Sequence, residues 1–137
     1  LVPYLYHTAC QSHQSGIPMI RPLVMEYPKD PIAKTQNLSY MLGDALLISP
    51  GFDRDEYELY LPEGRWQDIE SKEVYEGMTF VHIENKAFAD GGTSLRVFQK
   101  EGTSIPLFAQ KEVLHVPAQL WKQEDLEFMT FQKKDVD

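Results

Sequence analysis

A chain of 137 residues, 42% of them hydrophobic, is long enough to bury one good core and too short for a (β/α)8 barrel, which takes roughly 250 residues. The net charge of −8 falls wholly beyond residue 45, because Arg21, Lys29 and Lys34 balance Glu26, Asp30 and Asp44 before it; such an acidic surface repels a phosphate backbone. No apolar run approaches the roughly 20 residues of a membrane helix, and the lone Cys10 excludes an internal disulfide, so neither nucleic acid nor a membrane is an expected partner.

The chain opens at Leu1, inside an apolar helical pattern, which reads as a segment of a longer protein. Val2, Leu5, Tyr6, Ala9, Cys10 and His13 follow the i, i+3, i+4, i+7 spacing of an amphipathic helix, and Cys10 is expected to be buried and inert. Pro3 fits the first turn, Gly16 the position just past the helix end, and Pro18 prevents continuation. Pro18–Tyr27 is apolar on both faces except for Arg21 and Glu26, the pattern of a parallel strand covered on both sides. Pro22 removes a ladder donor there and implies a bulge near Arg21-Pro22. Pro28-Lys29-Asp30-Pro31 is a loop, Thr35–Leu42 a short helix closed by Gly43, and Ala45–Ser49 a buried strand.

Beyond Ala45 helical periodicity fades. Tyr57, Leu59 and Leu61 alternate with Glu56, Glu58 and Tyr60, a half-buried strand, and Pro62-Glu63-Gly64 turns the chain into Arg65–Ile69 as a hairpin. Further strands are predicted at Thr79–Glu84, Ser94–Gln99, Ser104–Ala109, Glu112–Val116 and Leu126–Gln132, with a turn at Asp90-Gly91-Gly92 and a frayed tail over Lys133–Asp137. Short strands between turn signals make an antiparallel sandwich. The fold class is therefore mainly β: an antiparallel β-sandwich over 45–137, preceded over 1–44 by the last helix-strand-helix unit of a (β/α)8 barrel.

Four pieces of sequence, LVPYLYHTA, GIPMIRPLVMEYPKDP, YMLGDALLISP and YLPEGRW, stand in the order and near the spacing found in glycoside hydrolase family 31, which the chain resembles over about residues 1–107. The resemblance implies an α-glucosidase or α-xylosidase parent that cleaves terminal α-linked sugars by a retaining double displacement. It also implies that both catalytic aspartates lie upstream of Leu1. The chain itself then supplies no catalytic residue, needs no cofactor and holds no metal. Its expected partners are the remainder of its own barrel, carbohydrate through the parent enzyme, and a neighbouring copy of the parent; a cytoplasmic location is expected.

Chemistry-bearing residues are read against this background. Hydrolysis of a glycoside needs two carboxyl groups across one bond, and 21 acidic residues make nearby pairs inevitable. Trp66-Gln67-Asp68-Ile69-Glu70 echoes the family's nucleophile signature, but it lacks the Met-Asn-Glu continuation and follows YLPEGRW, so Asp68 is expected to be a structural hairpin residue. Arg21 and Glu26 form an expected ion pair inside the apolar strand. Glu26 and Tyr27 end that strand, on the face where barrel sites form, and are candidates to brace a sugar site. His7, His13, His82 and His115 are scattered at spacings that make no metal motif. The competing reading is an independent carbohydrate-binding or interaction sandwich, with Trp66, Tyr57 and Tyr75 as an aromatic platform.

Overall fold

The protein is described by a computed structural model over residues 2–51, 56–84, 95–108 and 122–133. The turn predicted at Asp90-Gly91-Gly92, the strand over Glu112–Val116, His115 and residues 134–137 lie outside the described residues. The chain divides into two compact units, Leu1–Met19 with Gly102–Asp137, and Ile20–Glu101.

In the first unit α1 spans Val2–Ser15. Pro3 sits in its first turn, and Gly16 ends it at φ +77°, its N–H donating to Ser12 O at 2.9 Å. The helix matches the expected span but not the expected face. Pro3, Tyr4 and Thr8 are buried, whereas Val2, Tyr6 and Cys10 are exposed. Cys10 is thus not the buried thiol its apolar neighbours suggested.

The second unit carries most of the strands. β1 (Ile20–Pro22) runs straight into a four-residue helix, α2 (Leu23–Glu26), and a 3-10 turn follows at Ala33–Thr35. β2 (Tyr40–Leu42) and β3 (Leu46–Pro50) form a hairpin around Gly43, which takes φ +66°. β4 (Glu56–Leu61), β5 (Arg65–Asp68), β6 (Val74–Glu76), β7 (Thr79–Glu84) and β8 (Leu95–Lys100) complete the unit. β1-β2-β3-β8-β5-β6 make a six-stranded sheet, and β4 pairs with β7 in a second one. All these pairings are antiparallel.

Several local expectations are corrected here. The strand over Pro18–Tyr27 shrinks to three residues, and its neighbour β2 is antiparallel. Pro22 needs no bulge: β1 is the sheet's edge, where a missing donor costs little, and Pro22 leads directly into α2. Tyr40–Leu42, expected to end a helix, is a strand paired with both β1 and β3. β4 and β5 are not a hairpin; β4 pairs with β7, and β5 with β6 and β8. Residue 44, where a barrel unit was expected to give way to the sandwich, falls in the β2–β3 turn of one sheet.

The core lies between the two sheets. Met41, Leu47, Phe98 and Trp66 come from the larger sheet, and Tyr57, Leu59, Leu61 and Ile83 from the smaller, with Leu23 and Ala33 closing one side. Trp66, fully buried, donates its indole N–H to Pro62 O at 2.9 Å, so the largest core side chain is also polar-satisfied. The antiparallel sandwich read from alternation is the fold of this unit.

The first unit's strands are β9 (Thr103–Phe108) and β10 (Leu126–Phe131), an antiparallel pair in which α1 lies against β9. Gly102, at φ +78°, donates its N–H to Phe131 O at 2.6 Å and closes this pair.

Candidate functional site

Arg21 is the one strongly buried cation among the described residues, with 4% of its surface exposed. Its position on β1 follows from the short strand: Ile20 and Pro22 face out, and Arg21 faces in, opposite Met41. Nη1 donates to Glu26 Oε1 at 2.9 Å and to Asp44 Oδ1 at 2.6 Å. Burial opposes the charge, but the hydrogen bonds to Asp44 and then Glu26 outweigh it and raise the guanidinium pKa above its ordinary value. The expected partnership of Arg21 with Glu26 is formed. Asp44 was not foreseen, because only the β1-β2-β3 antiparallel arrangement carries the β2–β3 turn back to Arg21.

Tyr27 follows α2 directly and packs its ring on the core's edge, with Lys100 Nζ 5.6 Å from the ring centroid. Burial first, then the charges of Glu26 and Glu63, push its hydroxyl well above the ordinary phenol range. Glu26, Tyr27, Pro28, Lys29, Glu63 and Met78 line a cavity of about 380 Å³, together with Asp30 and Pro31. The loop is held from behind by Asp30. Its Oδ1 accepts from the N–H groups of Ile32 (2.9 Å) and Ala33 (3.3 Å), and its Oδ2 accepts the Tyr60 hydroxyl at 2.7 Å. The Tyr60 bond is the main reason the Asp30 carboxyl is held below its usual value. Burial, and then Asp30, raise the Tyr60 hydroxyl to about 12. The sequence marks Glu63 as a turn residue but does not bring it or Met78 to this cavity, since they sit in two turns that meet only through the non-local β4–β7 pairing.

Asp68 is a turn residue. It is 2% exposed; its Oδ1 accepts from the N–H groups of Glu70 (2.9 Å) and Ser71 (3.3 Å), and its Oδ2 accepts Arg96 Nη1 at 3.2 Å. A carboxylate so enclosed cannot reach a glycosidic carbon.

The aromatic platform is not formed. Trp66 has no exposed surface and Tyr57 faces it in the core, its hydroxyl sharing a 2.8 Å hydrogen bond with Ser49 Oγ. Tyr75 packs edge-on against Phe98, with 6.0 Å between ring centroids, and donates to Glu73 Oε2 at 2.6 Å, which together with burial raises it to about 12. Trp66 and Tyr57 lie inside the core, where a ring cannot stack on a sugar, and the half-buried Tyr75 packs against it from the side. His82, by contrast, gains neighbours. It lies opposite Glu58 on the exposed face of the β4–β7 pair, 2.8 Å from its carboxylate and 4.0 Å from those of Glu56 and Glu84. The bond to Glu58 and the field of all three raise the imidazole pKa. Among the described residues no helix is long and apolar enough to cross a membrane.

The architecture is thus that of an antiparallel sandwich with an acidic cavity at one edge. Residues 16–112 match the profile of the glycosyl hydrolase family 31 C-terminal domain, and the chain belongs to glycoside hydrolase family 31. It is 36% identical over 110 residues to the neutral alpha-glucosidase AB of Homo sapiens, a stretch that covers 77% of this chain and 11% of that protein. It is similar to the cycloalternan-forming enzyme of Listeria monocytogenes, solved in complex with a pentasaccharide substrate, at TM-score 0.78 and 31% identity over 96% of this chain and 12% of the other. A dextranase of Flavobacterium johnsoniae complexed with glucose aligns at TM-score 0.65 and 31% identity, covering 76% and 13%. The chain spans about a tenth of the length of these relatives.

Proposed function

We propose that this chain is the sandwich-bearing part of a retaining α-glycosidase that hydrolyses terminal α-linked glucose or a related sugar, and that it supports the catalytic barrel without contributing catalytic carboxylates. The match of residues 16–112 to the C-terminal domain of the family carries this reading. In the retaining mechanism one carboxylate attacks the anomeric carbon and a second carboxyl protonates the leaving oxygen. Asp68, the residue of this chain whose setting most resembles such a nucleophile, has both oxygens committed within its turn. Both catalytic groups then come from the parent outside this chain.

The supporting role has a surface to act through. Ile20, Val24 and Met25 are exposed on β1 and α2, at the open edge of the six-stranded sheet. The Arg21–Glu26–Asp44 cluster stiffens this edge by tying β1, α2 and the β2–β3 turn to one guanidinium. Glu26, within the cluster, and Tyr27, next to it, brace the loop that follows.

The test is hydrolysis of p-nitrophenyl α-glucoside and α-xyloside by the purified chain, beside its Asp68→Asn variant. Neither is expected to turn over either substrate. Turnover that disappears in Asp68→Asn would overturn the assignment.

A further inference from the structure

We propose that the cavity bounded by Tyr27, Pro28, Lys29, Glu26, Glu63 and Met78 binds a neutral pyranose, a mono- or disaccharide, as a non-catalytic site. The proposal rests on the carbohydrate-enzyme reading above and adds a ligand site to a part of the molecule that reading treats as support.

The volume of about 380 Å³ lies at the small end of the roughly 300–1,000 Å³ of ligand sites. Its walls mix the two surfaces of a sugar. Pro28 and Met78 offer apolar contact for a ring's C–H face, while Tyr27, Glu26, Glu63 and Lys29 offer hydroxyl, carboxylate and ammonium groups. Among the described residues the Tyr27 hydroxyl makes no hydrogen bond, and neither Glu63 nor Lys29 is held in an ion pair. Glu26 gives one oxygen to Arg21.

Charge selects a neutral ligand. Three carboxylates, those of Glu26, Glu63 and Asp30, line the cavity and repel an anion. The ring of Tyr27 already faces an ammonium, Lys100, so the aromatic face that would attract a cation is taken. A polyol instead donates to the carboxylates, accepts from Lys29 and exchanges either role with Tyr27.

The walls are also fixed in advance. The two turns carrying Glu63 and Met78 are clamped by Gly77 N–H to Gly64 O at 2.6 Å and Met78 N–H to Leu61 O at 2.7 Å. Asp30 fixes the opposite loop. Little ordering is left to oppose binding.

The experiment follows backbone amide shifts of the ¹⁵N-labelled full chain during titration with methyl α-glucoside and isomaltose, with tetramethylammonium and sulfate as contrasting probes. Saturable shifts confined to Glu26–Lys29, Glu63 and Met78 are expected, with a Kd of about 1–10 mM. Glu63→Gln and Tyr27→Phe should each weaken binding roughly tenfold with the remaining spectrum unchanged. Glu63 is exposed, so its variant tests the site without disturbing the core. A dispersed spectrum unmoved by either sugar, shifts indifferent to both substitutions, or tighter binding of tetramethylammonium or sulfate would each overturn the proposal. In those cases a hydrolytically silent chain still leaves the support reading standing. Turnover by the chain would sink that reading whatever the cavity binds.

Discussion

Asp30 and Tyr60 show how one hydrogen bond shifts two groups in opposite directions. The Asp30 carboxyl, lowered chiefly by the Tyr60 hydroxyl, contributes stability that is present above its unfolded value of about 3.9 and is lost as pH falls through the lower folded value. Tyr60 is raised from about 10 to about 12, so the folded state keeps a proton that the unfolded state releases. Its contribution is whole below pH 10 and is lost as pH rises through about 12. Tyr60→Phe keeps the ring that packs 5.2 Å from Phe80 and removes only this bond. We expect it to cost about 1–2 kcal/mol at neutral pH, toward the low end for a bond to a charged acceptor because Asp30 is half-exposed. The gap between wild type and variant in urea unfolding should then narrow between pH 10 and about 11.5. Tyr27 and Tyr75 titrate alike in both proteins and cancel in the difference. A gap that stays constant across that range would show that the Tyr60 hydroxyl is not held by Asp30. Arg21 carries the matching lesson about legibility. A cation within an apolar run announces a partner, and Glu26, five residues on, was within sight. Asp44 is 23 residues away, and nothing short of the strand order reveals it.

At the scale of elements, alternation was legible and partnership was not. Tyr57, Leu59 and Leu61 point inward as their period of two demands. A turn signal such as Pro62-Glu63-Gly64 marks where the chain reverses but not which strand it joins, and β5 pairs with β8, about thirty residues on, instead of with β4. The segment Tyr40–Leu42 is too short for its period to be read, and a following glycine suits a helix end and a hairpin turn equally. In α1 the apolar stripe misplaced the buried face because Thr8, a polar residue, is buried, while Tyr6 and Cys10 are not. Two turns meet at Gly77, whose N–H donates to Gly64 O at 2.6 Å. A methyl group there would overlap the Pro62 and Gly64 carbonyl oxygens and crowd Gly64 N, all of them backbone atoms with nowhere to go. We expect Gly77→Ala to cost about 2–3 kcal/mol, since it separates the two turns and breaks the Gly77–Gly64 hydrogen bond. Gly16→Ala is the control: its added methyl meets nothing within 4 Å, so it bears only the strain of φ +77°, about 1 kcal/mol. Thermal unfolding of both variants decides it. A larger loss at Gly16 would contradict the packing described around Gly77.

For the whole molecule, the question is which stretch of chain can fold by itself. Sequence texture changes at Ala45, and that change placed a boundary at residue 44. Texture reports where helical periodicity stops, whereas a folding unit is set by where hydrogen bonds and core contacts close. They close over Ile20–Glu101. That stretch contains every strand of both sandwich sheets and every member of the core from Leu23 to Phe98. A chain starting at residue 45 loses β1 and β2, and with them Leu23, Ala33 and Met41 from the core and the strand hydrogen-bonded to one edge of β3. Losing buried side chains the size of Leu23 and Met41 costs about 2–5 kcal/mol each, comparable in sum to the 5–15 kcal/mol that stabilises a whole domain. Residues 20–101 alone are therefore expected to give dispersed amide spectra and one cooperative thermal transition, while residues 45–137 are expected to give collapsed spectra and no sharp transition. Cooperative folding of 45–137, with 20–101 unfolded, would return the boundary to residue 44 and mean that β1 and β2 belong with the barrel side of the parent, not with the sheet that now holds them.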